Sequence, residues 1–154
     1  MNYAVTRRLE FDAAHRVLGH QGKCRHLHGH RYSIEVMVED KELDSLGMVV
    51  DFSDIKTILG RWIDENLDHN VILNGDDFLV ELLRESKLER DPFVMDDNPT
   101  AENIAKLIFD QAKNLLEHLS IVNVRVFETP NCWADYNEPA TSRKAGKRVL
   151  PRRG

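Results

Sequence analysis

The sequence predicts an α+β fold, a four-stranded antiparallel sheet with two main helices on one face. Three observations carry that expectation. From His28 the chain alternates with period two, and His30, Tyr32, Ile34, Val36 and Val38 share one parity, as one face of a strand requires. The period then lengthens. Ile55, Ile58, Leu59, Trp62 and Ile63 fall at helical spacing, and Ile104, Leu107, Ile108, Ala112, Leu115 and Leu116 form a second such stripe. The resulting order is strand, strand, helix, helix, strand, strand.

Taken in order, Tyr3, Val5, Leu9 and Phe11 alternate with polar partners and predict a strand ending near His15, with Arg7 breaking the pattern. Residues 16–27 hold two glycines and many polar groups and predict a loop. The second strand spans about 28–39, and Met48-Val49-Val50-Asp51-Phe52 reads as a short extended piece. Asp51 or Ser53 can cap the first helix; Thr100, just after Pro99, can cap the second, with Glu102 near its positive end. A third strand follows from Ile121 to Glu128 and a short fourth around Trp133 to Tyr136. The chain reads as one domain, 1–154, with an acidic insertion at about 74–98 and a basic, mobile tail at about 142–154. Within the insertion, Phe78, Leu79, Leu82 and Leu83 predict a short extra helix. A sheet of this size leaves edges and a face for an oligomer to cover.

Composition narrows the function. A formal charge of -5 argues against nucleic-acid binding. No apolar run approaches the ~20 residues of a membrane span, and the N-terminus lacks a signal-peptide core. Two cysteines, Cys24 and Cys132, make no disulfide framework, so a reducing cytoplasm is expected.

Five of the seven histidines, at 15, 20, 26, 28 and 30, crowd into one stretch. His28 and His30 project from the same face of a strand, and His15 ends the neighbouring one. Neutral imidazoles suit zinc, and a catalytic zinc keeps three protein ligands and an open position. Two readings compete with this: scattered surface histidines, and a closed structural zinc with Cys24 as fourth ligand. Cys24 is either an inert buried thiol or a thiolate favoured by Lys23, Arg25 and His26; Cys132 lacks such company and reads as structural. Asp68-His69 is either a helix ending or a carboxylate orienting an imidazole for proton transfer. Glu128 continues the parity of Val122, Val124 and Val126, so its carboxylate lies on the inward face. A charge there needs a partner: either Arg7 or Arg125, or a ligand with adjacent N–H donors such as the amino-pyrimidine edge of a pterin or purine.

Together these pieces resemble the family of 6-pyruvoyl- and 6-carboxy-tetrahydropterin synthases, from Phe11-Asp12-Ala13-Ala14-His15 to Tyr136. The landmarks are Cys24-Arg25-His26-Leu27-His28-Gly29-His30, Leu67-Asp68-His69-Asn70, Asn98-Pro99-Thr100-Ala101-Glu102-Asn103 and Glu128-Thr129. The resemblance implies a T-fold whose subunits close into a barrel as trimers and stack as hexamers. It implies zinc on His15, His28 and His30, and 7,8-dihydroneopterin triphosphate as substrate, anchored by Glu128 with Thr100 and Glu102 lining the pocket. It also implies Cys24 as proton acceptor, assisted by Asp68 and His69, with active sites between subunits. The stretch 24–30 and the ending 128–136 look more like the bacterial carboxy-pterin branch, which feeds queuosine synthesis, than the pyruvoyl-pterin branch. Cys24 disfavours a branch that carries glutamate in its place. A non-catalytic zinc or pterin module is the alternative of another class. The insertion departs from compact members, lying either over the pocket or on the outside.

Overall fold

The computed structural model describes residues 1–87 and 90–139. Two long strands dominate: β1 (Tyr3–His15) and β2 (His28–Asp40) pair antiparallel along their whole length, from Tyr3 opposite Asp40 to His15 opposite His28. The loop between them carries one turn of 3-10 helix at Lys23–Arg25. A helical run follows: α1 (Phe52–Ile55), a π-helical turn (Lys56–Gly60) and α2 (Arg61–Asn66). After it come β3 (Asn70–Asn74), α3 (Leu79–Glu85), β4 (Phe93–Met95), α4 (Ala101–Leu115), β5 (Ile121–Thr129) and β6 (Cys132–Asn137).

The sheet has six strands in the order β4-β3-β1-β2-β5-β6, and it is mixed, not the four-stranded antiparallel sheet expected. The β1–β2, β2–β5 and β5–β6 pairs are antiparallel, whereas β3 runs parallel to β1 and β4 parallel to β3. The two added strands are short, and adjacent Ile72 and Leu73 are both buried. Burial on both faces erases the alternation that marks a half-exposed strand.

The core forms where one face of the sheet meets the helices. Leu9, Phe11, Tyr32, Ile34, Val36, Val124 and Val126 pack with Ile55, Leu59, Ile63, Ile104, Ile108 and Ala112. Each fully buried large side chain contributes about 1.5–3 kcal/mol relative to exposure. The opposite face carries ion pairs, among them Arg8–Glu35 and Arg125–Asp135.

Both predicted caps are present. Asp51 accepts from the Ser53 N–H, and Thr100 accepts from the Asn103 N–H. Within the first stripe Ile58 is 37% exposed; the π turn inserts a residue and rotates it off the buried face. Leu115 of the second stripe is also partly exposed. Residues 48–51 lie outside the sheet, Phe52 already begins α1, and Val49 packs into the core. The predicted extra helix forms as α3 but buries Val80, leaving Leu82 52% exposed. Among the described residues, no helix is long and apolar enough to cross a membrane. The predicted basic tail lies outside the described residues.

Candidate metal centre and adjoining cavity

The register that ends β1 opposite the start of β2 brings three imidazoles together. Each of His15, His28 and His30 offers a ring nitrogen, and the three atoms lie within 4.8 Å of one another. Ring centroids are 4.6 Å apart for His15–His28, 4.9 Å for His28–His30 and 5.1 Å for His15–His30. Gly29 between them suits the close pairing of the strands, since a Cβ there would sit 3.3 Å from the Ala13 carbonyl oxygen.

Two of the rings are held in one tautomer. His15 Nδ1–H donates to the Pro99 carbonyl at 2.7 Å, and His28 Nδ1–H donates to the His26 carbonyl at 2.7 Å. A carbonyl only accepts, so Nδ1 of each ring is the protonated nitrogen in the neutral tautomer and Nε2 is the atom left to face a metal. His15 is 2% exposed, and burial pushes its pKa down from 6.5 to about 4, aided by the nearby His28 and His30 and opposed by the Pro99 bond. Burial also lowers that of His30, against the pull of Glu128. Nε2 of His15 and of His30 are buried without a hydrogen-bond partner among the described residues. Three converging rings, two of them with buried, unpartnered Nε2 atoms, fit a divalent cation. The cluster contains the three histidines without Cys24, which leaves no support for the closed four-ligand site.

Beside the cluster lies a cavity of about 280 Å³ whose wall includes His15, Cys24, Thr100, Glu102 and Glu128. Thus five of the nine residues singled out in the sequence meet in one hollow. The Glu128 carboxylate lies 3.8 Å from His15 Nε2. Neither expected arginine neutralises it: Arg125 is engaged with Asp135 at 2.8 and 2.9 Å, and Arg7 Nε is buried without a hydrogen-bond partner. Thr100 supplies its side chain to the helix cap. Beneath the cluster the Tyr32 hydroxyl is also buried without a partner, and burial and Glu128 both raise its pKa.

Cys132, expected to be structural, is exposed and lines the same cavity, as do His20 and Trp133. The Pro130-Asn131 turn folds β6 back so that Cys132 pairs with Thr129, one residue beyond Glu128. That turn was the signal available in the sequence.

Asp68 and His69 are outside this cavity wall. They form a closed pair of their own: His69 Nδ1–H donates to Asp68 Oδ2 at 2.7 Å, while Asp68 Oδ1 accepts from the Asp12 N–H at 2.9 Å. These bonds and the nearby Arg90 hold the Asp68 carboxyl below its usual range although burial opposes them. His69 is a non-glycine residue at φ 53°, with its side chain 77% exposed. Strain of this kind persists where the surroundings over-determine a residue, often at functional sites.

The sequence model described as 6-pyruvoyl tetrahydropterin synthase matches residues 4–139. A protein of Rickettsia bellii named 6-carboxy-5,6,7,8-tetrahydropterin synthase is 44% identical over 133 residues, covering 84% of this chain and 96% of that protein. One of the same name from Haemophilus influenzae is 36% identical over 143 residues, covering 88% and 99%. Among solved structures, 6-pyruvoyl tetrahydropterin synthase of Caenorhabditis elegans superposes with a TM-score of 0.69 at 25% identity, covering 90% and 97%.

Proposed function

Because the chain belongs to the 6-pyruvoyl tetrahydropterin synthase family, we propose that it is a 6-carboxy-5,6,7,8-tetrahydropterin synthase of queuosine-type biosynthesis. It converts 7,8-dihydroneopterin triphosphate and water into 6-carboxy-tetrahydropterin, acetaldehyde and triphosphate. The curated relatives support the choice of product. The observation that carries the chemistry is that His15 of the histidine cluster, Cys24 and Glu128 line one cavity.

His15, His28 and His30 would hold zinc, which supplies a Lewis acid toward the hydroxyls of the substrate side chain. Glu128 accepts the N–H donors of the amino-pyrimidine edge and so fixes the ring. Thr100 and Glu102, at the start of α4, line the pocket around that ring. Cys24 takes a proton from the carbon next to the ring and returns it. Asp68 holds His69 with Nδ1 protonated, which leaves Nε2 free to exchange protons with that thiol. His69 lies outside the cavity wall of its own chain and is exposed, which favours a homo-oligomer, trimer or hexamer, in which the pair serves a neighbour's cavity.

The test is to mix zinc-loaded protein with 7,8-dihydroneopterin triphosphate and identify every product by mass spectrometry. Carboxy-tetrahydropterin with acetaldehyde is expected. Pyruvoyl-tetrahydropterin would place the chain in the other branch, and unchanged substrate with zinc bound would make it a non-catalytic module. Cys24→Ala is expected to abolish turnover and keep the metal, and Glu128→Ala to weaken pterin binding.

A further inference from the structure

The turn that carries Asp68 and His69 follows α2, and a helix end leaves backbone carbonyls without intrahelical partners. Several are satisfied locally. The Ile63 carbonyl accepts from the Leu67 and Asp68 N–H groups at 2.8 and 2.9 Å, and the Leu67 carbonyl from the Asn70 N–H at 3.2 Å. Asn66 Nδ2 donates to the Trp62 carbonyl, and Asn70 Nδ2 donates to the Asn66 carbonyl. The carbonyls of Asp64, Glu65 and Asp68 take a different partner.

That partner is Arg90, in the acidic insertion. Its Nη1 donates to the Asp68 carbonyl at 2.7 Å, while Nη2 donates to the Glu65 carbonyl and, at 3.5 Å, to that of Asp64. A guanidinium is suited to this, because its rigid fork presents several donors in one plane and its charge complements the negative end of the helix. The opposite side of the turn is tied to β1: the His69 N–H donates to the Asp12 carbonyl at 2.6 Å, and Asp68 Oδ1 accepts from the Asp12 N–H. His69, at its strained φ of 53°, therefore sits between two clamps. One comes from the sheet and the other from the insertion.

We propose that Arg90 is a positioning residue for the Asp68–His69 pair: by gathering the carbonyls that lead into the turn, it holds the imidazole where it can exchange protons. The proposal rests on the reading of Asp68 and His69 as a proton relay. It gives the insertion a place in the reaction without contact with substrate. Arg90 touches backbone carbonyls, and no described residue of the insertion lies in the wall of the Cys24 cavity in its own chain.

The experiment compares the parent, Arg90→Ala, Arg90→Lys and His69→Ala as full-length, zinc-loaded proteins. Steady-state kinetics are combined with ¹⁵N chemical shifts of the His69 ring, which report its tautomer. Arg90→Ala is expected to lower kcat by about 10- to 100-fold, the scale of a small misplacement of a catalytic group, with KM and bound zinc unchanged. The ring should lose its Asp68-held Nδ1–H form. Arg90→Lys, which keeps the charge and loses the fork, should recover part of kcat, and it carries the same test if Arg90→Ala does not fold. Full kcat in a folded Arg90 variant, beside an inactive His69→Ala, overturns the proposal. So does a loss of kcat with the His69 tautomer unaltered, which would mean that Arg90 acts by another route. Full activity in His69→Ala instead overturns the relay reading on which the proposal rests.

Discussion

Protonation of His15 gives a direct test of how deeply the histidine cluster is buried. In the folded, metal-free chain its pKa lies near 4 against an ordinary value of 6.5, desolvation being the largest cause. Above pH 6.5 the folded and unfolded states are both neutral at this position, and the group contributes nothing. As pH falls below 6.5 the unfolded chain takes up the proton and the folded chain does not. Stability is therefore lost at about 1.4 kcal/mol per pH unit. Over the window from 6.5 to 4 the loss reaches about 3 kcal/mol, and below pH 4 it levels off. The assay is urea unfolding of metal-free parent and His15→Asn across pH 7 to 4. Asparagine keeps an N–H donor toward the Pro99 carbonyl but cannot titrate. The difference curve should be flat above pH 6.5 and bend below it, by an amount that includes the coupling of His15 to His28 and His30. Parallel curves over the whole range would refute the argument that burial holds this imidazole neutral.

Zinc should stabilise the fold near neutral pH and steepen that acid sensitivity, because it binds only the deprotonated rings. At 100 times its Kd it should add about 2.7 kcal/mol to the parent and none to His28→Ala, as thermal melts with and without chelator would record. Thr100→Ala removes the side-chain oxygen that caps α4 and should cost about 1 kcal/mol in urea unfolding; an unchanged midpoint would mean that the cap is idle. Asp77→Ala breaks the pair that Arg16 makes at 2.5 Å with a carboxylate 1% exposed. Leaving Arg16 without its partner should cost about 2–3 kcal/mol, below the range for fully buried pairs because Arg16 itself reaches solvent.

The sequence was most legible where a pattern ran long. Thirteen residues of β1 and of β2 repeat the period-two signal often enough to fix which face is inward. The same parity placed His28, His30 and Glu128 correctly on that face. The caps were legible because a side chain such as Asp51 or Thr100 bonds a few residues away. β3 and β4 were not, since five and three residues carry too few alternations and their partners are distant in the chain. Parallel pairing of β3 with β1 needs a long connection, here through β2 and the helical run, and so has no local signature. Arg90 was invisible for the same reason: nothing near residue 90 announces a reach back to the carbonyls of 65 and 68. Cys132 was misjudged by composition, because its neighbours in space come from the hairpin and not from the residues beside it.

The end of β1 explains why these parts keep a fixed relation to one another. The Asp12 backbone holds both Asp68 and His69. Ala13, opposite His30, has its carbonyl close against Gly29. His15 joins the histidine cluster, and Arg16 grips Asp77 at the base of the insertion. Four elements of the proposed machinery thus attach to five consecutive residues. Four of those five belong to a strand paired on both sides, with β2 along its length and with β3 at Ala13 to His15. A paired strand places side chains more accurately than a loop does. Cys24 is set on the loop that leaves this strand, and His69 on the turn that enters β3 beside it. The two alanines suit this position because the strand is flanked so closely, and a larger side chain at Ala13 would have to displace either the core or the His30 ring beside it.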